Sequence, residues 1–263
     1  MMEFGTQFQG QGVVVTGALG LFGRGIAKAF AAAGAKVCVT DMDQAALEEL
    51  VTELGAEGSF ARACELTSAD DMDNLVAVVG DAWGAPDILI NNAGIYPSGF
   101  LLDMDTSDWD RIMDVNLRAP FHLSRGFALQ MINAGKTGSF VNISSGAARK
   151  MRRTVVPYCV SKTALDRLTK GFAVELAEFG IRVNALEPGF AAGSSVSALS
   201  EEHVSRAIRG IPLGRSTSMD DIGPAVLYLS SREASYVTGT TLSVDGGNSA
   251  GTLDVFQDKK TPL

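Results

Sequence analysis

Four stretches of this chain are apolar almost without a break: "GVVVTG" (12–17), "DILINNAG" (87–94), "GSFVNISS" (138–145) and "IRVNALEPG" (181–189). A strand with one face in water alternates apolar and polar residues, so runs like these must be covered on both faces. Between them lie longer segments with the apolar spacing of helices: one running to about Ala33, "QAALEELVTEL" (44–54), a stretch near 107–133 and another from about 157 to 179. Two further strand-like runs, "AKVCVTD" (35–41) and "TTLSVDGG" (240–247), and helical segments near 200–209 and 219–231 continue the pattern. The β-α-β-α order predicts a doubly wound parallel sheet with helices on both faces. Of the 263 residues 46% are hydrophobic, enough to build the core of one large domain over 1–263. No linker, repeat or low-complexity segment divides it.

The formal net charge of −8 gives no general attraction to nucleic acid or to an anionic membrane surface. Cys38, Cys64 and Cys159 are odd in number, scattered and set among apolar neighbours, which points to reduced core thiols rather than disulfides or a metal site. The opening "MMEFGTQFQGQG" lacks the basic and apolar regions of a signal peptide, and no apolar run approaches the roughly 18 residues of a membrane span. These features predict a soluble cytoplasmic protein without nucleic-acid or membrane partners.

Where the first strand turns into the first helix, "VVVTGALGLFGRGIA" (13–27) places Gly17, Gly20, Gly23 and Gly25 in the turn. Glycines there let backbone amides approach a pyrophosphate at a helix N-terminus, although glycine also serves ordinary tight turns. The second strand ends at Asp41, twenty-four residues beyond Gly17, about where an acidic side chain meets an adenosine ribose diol and repels a 2′-phosphate. On that reading the chain is Rossmann-like and binds NAD rather than NADP; the alternative is that Asp41 caps the helix that follows. Further on, "VVPYCVSKTALDRL" (155–168) sets the Tyr158 phenol and the Lys162 amine four places apart on one helix face.

With these residues the chain resembles the short-chain dehydrogenase/reductase family over residues 10–248. The matching pieces come in the family's order: "TGALGLFG" (16–23), Asp41, "NNAG" (91–94), Asn116 in "DVNL", "NISS" (142–145), "YCVSK" (158–162), "PG" (188–189) and "VDGG" (244–247). The resemblance implies a catalytic set of Asn116, Ser145, Tyr158 and Lys162. Ser145 would hydrogen-bond the substrate oxygen, with neighbouring Ser144 a poorer match by spacing, and Asn116 would keep a proton-relay water. Lys162 would also hold the nicotinamide ribose. The dinucleotide would lie along Gly17, Gly20, Leu21, Phe22, Gly23, Asp41, Glu65, Leu66, Asn92, Ala93, Gly94, Tyr158, Lys162, Pro188, Gly189, Ala191 and Ser194. Three departures stand out. Gly20 falls one place early, with Leu21 where the glycine usually sits; Gly193 stands where a threonine usually holds the carboxamide, with Ser194 as a substitute; Glu65 replaces an Asp beside the adenine.

Hydride loss from an alcohol needs a group to take the hydroxyl proton, and a free phenol, with pKa about 10, is a poor base at neutral pH. A nearby ammonium would lower it, which gives the Tyr158–Lys162 spacing a chemical reason. His122 and His203 have no partners at catalytic or metal-ligand spacing, and no metal is expected. The expected activity is NAD-dependent oxidoreduction of a small secondary alcohol or its carbonyl counterpart: a sugar, polyol, sugar acid or hydroxy acid. Two alternatives are a 3-oxoacyl thioester reductase and a catalytically silent dinucleotide-binding protein. The substrate side should be lined by "IYPSGF" (95–100), with Tyr96, by the loop 146–157 and by 190–205. Arg149, Lys150, Arg152 and Arg153 crowd the second of these. That basic loop is either a solvated or inter-subunit surface, or it presents Arg152 and Arg153 to an anionic substrate group. Relatives of this kind are often tetramers paired through long helices such as 107–133 and 157–179.

Overall fold

A computed structural model of the protein describes residues 6–192, 200–251 and 253. Seven strands form one parallel sheet: β1 (Gly12–Thr16), β2 (Lys36–Thr40), β3 (Phe60–Ala61), β4 (Ile88–Asn91), β5 (Gly138–Ile143), β6 (Ile181–Pro188) and β7 (Thr241–Val244), in the order β3-β2-β1-β4-β5-β6-β7. Eight α-helices intervene: α1 (Leu21–Ala32), α2 (Gln44–Leu54), α3 (Ala69–Trp83), α4 (Thr106–Met113), α5 (Ala119–Asn133), α6 (Val156–Leu176), α7 (Glu201–Arg209) and α8 (Met219–Ser230).

The unbroken apolar strands behave as their composition requires. Val13 and Val15 enter one apolar layer with Ile26 and Phe30 of α1 and Val226 of α8. Val14 enters the opposite layer with Leu75 of α3 and Phe127 of α5. Because β1 has no polar face, helices must cover both sides. The chain reverses its winding between β1 and β4, so the carboxyl ends of those neighbouring strands open a crevice where such sheets bind ligands.

Two elements were not anticipated from sequence, β3 and α3. β3 has only two residues, too few for a periodicity. The stretch expected as one helix over 107–133 is interrupted by a π-turn, Asp114–Arg118, between α4 and α5. All three cysteines are free and buried, as expected of core thiols; burial pushes the Cys64 thiol up to about 12 and raises Cys38 as well.

Candidate active site

Thr16, the last residue of β1, organises the turn into α1. Its Oγ1 accepts from the backbone N–H groups of Asn92 and Ala93, each at 3.0 Å. The Asn92 amide returns hydrogen bonds to the Thr16 and Gly17 carbonyls at 2.9 and 3.0 Å. This lock holds the glycine turn against the end of β4, and sequence reasoning missed Thr16 in it. Gly17 has φ +62°, and a Cβ there would lie 2.7 Å from Ala93 Cα; a Cβ at Gly23 would run into the Gly17 carbonyl oxygen. The turn therefore keeps its shape only with bare backbone. Gly20 caps α1 with no side-chain hydrogen bond, so the first-turn amides keep their donors for another acceptor. These residues fit a dinucleotide pyrophosphate. The early glycine leaves Leu21 as the first helical residue, 42% exposed at the rim, while Phe22 packs against the core.

Asp41 follows β2 on the same side of the sheet. Its Oδ2 accepts from Leu19 N–H at 3.1 Å and its Oδ1 from Met42 N–H at 2.9 Å, which fixes the carboxylate beside the glycine turn. It does not cap α2: Asp43 does, accepting from Ala46 N–H at 3.1 Å. Arg24 of α1 is held by Glu53 at 2.9 Å. Glu65 turns back on its own loop, its Oε1 accepting from both the N–H and the hydroxyl of Thr67, and Leu66 packs partly buried on the core. At the other end of the crevice, Pro188 closes β6, and Gly189 N–H donates to Val244 O at 2.9 Å, where a Cβ would strike Thr217 Oγ1. Ala191 continues this segment; Ser194, like Gly193, lies outside the described residues.

The four expected catalytic residues converge. Asn116 sits in the π-turn, fully buried, because that turn lets its amide close on backbone: Oδ1 accepts from Ile95 N–H at 2.8 Å, and Nδ2 donates to Ile95 O at 2.9 Å and to Ser161 Oγ at 3.1 Å. Ser145, just beyond β5, hydrogen-bonds the Tyr158 phenol and accepts from Ala147 N–H at 3.1 Å. Ser144 is buried, and its hydroxyl acts on Asp166 rather than on Tyr158. Lys162 donates to Ile143 O at 2.7 Å, with its Nζ 5.8 Å from the Tyr158 ring centroid. A Cβ on Gly94 would lie 3.4 Å from Lys162 Nζ and 3.5 Å from Asn116 Oδ1, which places "NNAG" against both.

The expected acidity of Tyr158 needs correction. Burial raises its pKa above the ordinary value, and the Ser145 hydrogen bond and the Arg152 charge only partly oppose this. The Lys162 ammonium is itself pushed down to about 8 by burial, with Asp166 opposing.

The expected substrate side joins two loops. Tyr96 lies against Tyr158 with ring centroids 5.6 Å apart, Gly99 N–H donates to Thr154 O at 2.8 Å, and the Arg153 guanidinium covers Phe100 at 5.1 Å. The four cations of the basic loop part ways, Lys150 being simply exposed. Arg149 turns inward to Glu187, Arg153 stacks on Phe100, and Arg152 acts on Tyr158 through its charge. His122 pairs with Asp73 at 2.8 Å, and no metal-ligating cluster occurs among the described residues. No helix among them is long and apolar enough to cross a membrane.

A dinucleotide turn at the crevice of a doubly wound sheet, with a serine, tyrosine and lysine beyond it, defines a nicotinamide-dependent oxidoreductase. The chain belongs to the short-chain dehydrogenase/reductase family: residues 17–249 match the family model described as enoyl-(acyl carrier protein) reductase. It is 36% identical over 252 residues to galactitol 2-dehydrogenase (L-tagatose-forming) of Cereibacter sphaeroides, covering 94% of this chain and 98% of that one. It is 34% identical over 245 residues to the 3-oxoacyl-acyl-carrier-protein reductase FabG of Thermotoga maritima, covering 92% and 98%. A crystal structure from Beutenbergia cavernae, described as an NAD(P)-dependent gluconate 5-dehydrogenase with NADP at low occupancy, superposes with a TM-score of 0.86 at 34% identity, covering 95% of this chain and all of that one.

Proposed function

We propose that the protein is a cytoplasmic NAD-dependent dehydrogenase of secondary alcohols, acting on a sugar, polyol, sugar acid or hydroxy acid with Tyr158 as acid/base. The observation that carries this reading is the convergence of Asn116, Ser145, Tyr158 and Lys162 beyond β5, with Asp41 at the far end of the same edge. The bound dinucleotide supplies a hydride acceptor, or a donor in the reverse direction. Gly17, Gly20, Leu21, Phe22 and Gly23 would hold its pyrophosphate; Asp41 its adenosine ribose; Glu65 and Leu66 its adenine; Asn92, Ala93, Gly94, Lys162, Pro188, Gly189 and Ala191 its nicotinamide half.

Ser145 would hold the substrate hydroxyl against Tyr158, which as the phenolate takes the hydroxyl proton while the hydride leaves to the dinucleotide, and as the phenol returns that proton on reduction. A phenol whose pKa burial has raised needs cations around it, and Arg152 and Lys162 are the ones at hand. Of the basic loop, Arg152 is the residue best placed to meet an anionic substrate group as well. Arg153, spread over Phe100, would serve as the wall of that pocket. In a homotetramer, Phe121 of α5 and Val174 of α6, exposed in the single chain, would lie in subunit contacts.

The likeness to galactitol 2-dehydrogenase supports a polyol. The reductase relative and the NADP-bound neighbour favour a second reading, a 3-oxoacyl thioester reductase; Asp41 weighs against it because its carboxylate would face a 2′-phosphate. The four intact catalytic positions weigh against a silent dinucleotide-binding protein. A panel of polyols, sugars, sugar acids, hydroxy acids and a 3-oxoacyl thioester, assayed with NAD(H) and NADP(H) by dinucleotide absorbance, separates these. The proposal expects turnover of an alcohol with NAD at about a hundredfold advantage over NADP in kcat/KM. Thioester reduction with NADPH alone would replace it with the second reading.

A further inference from the structure

Asp166 stands one turn beyond Lys162 on α6, so Tyr158, Lys162 and Asp166 form a row at i, i+4 and i+8. Its Oδ1 is buried without a well-formed hydrogen bond, and so is the Ser144 hydroxyl, although that hydroxyl is the side-chain donor acting on the carboxylate. The surrounding charges come from two other elements and from α6 itself. Glu187 acts from β6 and Arg149 from the loop after β5, while Lys162 acts from the same helix. The π-turn packs on α6 as well and brings Asn116, an uncharged amide.

Glu187 and Arg149 satisfy each other. Arg149 Nη2 lies 2.6 Å from Glu187 Oε2 and its Nε donates to Oε1 at 3.2 Å; Ser243 Oγ donates to Oε2 at 2.9 Å, and Arg149 also bonds Ser243. Lys162 makes no ion pair of that kind among the described residues. Its one polar contact at Nζ is the Ile143 carbonyl, and Asp166 is the charged group acting on it.

We propose that Asp166 is a positioning residue that keeps Lys162 an ammonium, and keeps it in the row with Tyr158, across the pH range in which the enzyme turns over. This rests on the reading of Tyr158 and Lys162 as the catalytic pair. Burial drives the amine toward its neutral form, and a carboxylate one turn away opposes that. Without Asp166, Lys162 would give up its proton at lower pH, and the phenol would lose a supporting cation.

The test is a titration of Lys162 in the full-length protein enriched with [13Cε]lysine, its signal assigned by its loss in Lys162→Ala. In the wild type the titration should centre on about 8. In Asp166→Asn the midpoint should fall by about one pH unit, tenfold in the protonation equilibrium, and in Asp166→Glu it should return toward wild type. The alkaline limb of the kcat/KM profile should move with it. An unmoved midpoint in Asp166→Asn overturns the proposal. Asp166→Ser, smaller and neutral, replaces Asn should that variant fail to fold. The NMR midpoint does not depend on turnover, so a Tyr158→Phe variant that stayed active would remove the catalytic reading without altering this result.

Discussion

Lys162, the proposed partner of Tyr158 in the chemistry, is costly to the fold. Its pKa lies near 8 in the folded protein against an ordinary value of 10.5. Below about pH 8 the amine is charged in both folded and unfolded states, and the folded state bears the full cost of burying it. Above about 10.5 both are neutral and the cost is gone, so this residue makes stability rise with pH between the two values. Lys162→Met should therefore abolish turnover yet stabilise the protein at pH 7, by at most about 3 kcal/mol, less what is lost with the Ile143 hydrogen bond. Denaturant unfolding at pH 7, 9 and 10.5 checks this: the advantage should shrink as pH rises, and a constant difference would mean the buried charge is not its source. The spacing of Tyr158 and Lys162 was plain in the sequence. Their acidities were not, because burial depends on β5 and the 95–100 loop, which lie far away along the chain.

At the scale of elements, the proposed preference for NAD rests on the turns after β1 and β2. Two aspartates two places apart follow β2, and sequence alone left open whether Asp41 binds a ribose or caps a helix. Asp43 caps α2 while Asp41 accepts from Leu19 N–H beside the glycine turn, and the ribose role of Asp41 is the proposal to be tested. Asp43→Ala should then cost about 1 kcal/mol of stability and leave the NAD/NADP ratio unchanged. Asp41→Ala should narrow that ratio. Dinucleotide kinetics and thermal unfolding on the two variants check the division, and a ratio moved equally by both would contradict it. Most strands could be read from sequence because a doubly covered strand writes its burial into every residue. α3 carries its own signals in the sequence, with Ser68 as N-cap and Met72, Leu75 and Val79 on the buried face. The π-turn was visible only as an asparagine at odds with its helix, since what it achieves is a contact with Ile95, twenty-one residues away.

For the whole molecule, the least legible feature was the buried ion pair that ties the loop between Ser145 and Tyr158 to β6 and β7. Arg149 reads as one of four cations in a basic run, and only the fold brings Glu187 and Ser243 to it. The pair is lopsided, with the Glu187 side chain 1% exposed and that of Arg149 44%. Removing Arg149 strands a buried carboxylate, whereas removing the carboxylate lets the arginine turn to water. Arg149→Met should cost about 3 kcal/mol or more and Glu187→Gln about 1 kcal/mol, measured by urea unfolding; equal losses would show that both groups are equally buried in the working protein. In the proposed function this sheet, its dinucleotide turn and the residues beyond β5 together oxidise an alcohol through Tyr158. The most direct test of this is Tyr158→Phe, which keeps the ring and removes only the proton carrier, assayed for NADH binding by fluorescence and for turnover of the best alcohol in the panel. Binding should stay close to wild type while kcat falls far below a tenth of its value, a loss well above about 1.4 kcal/mol in barrier. A variant that keeps more than about a tenth of the wild-type kcat would show that another group carries the proton.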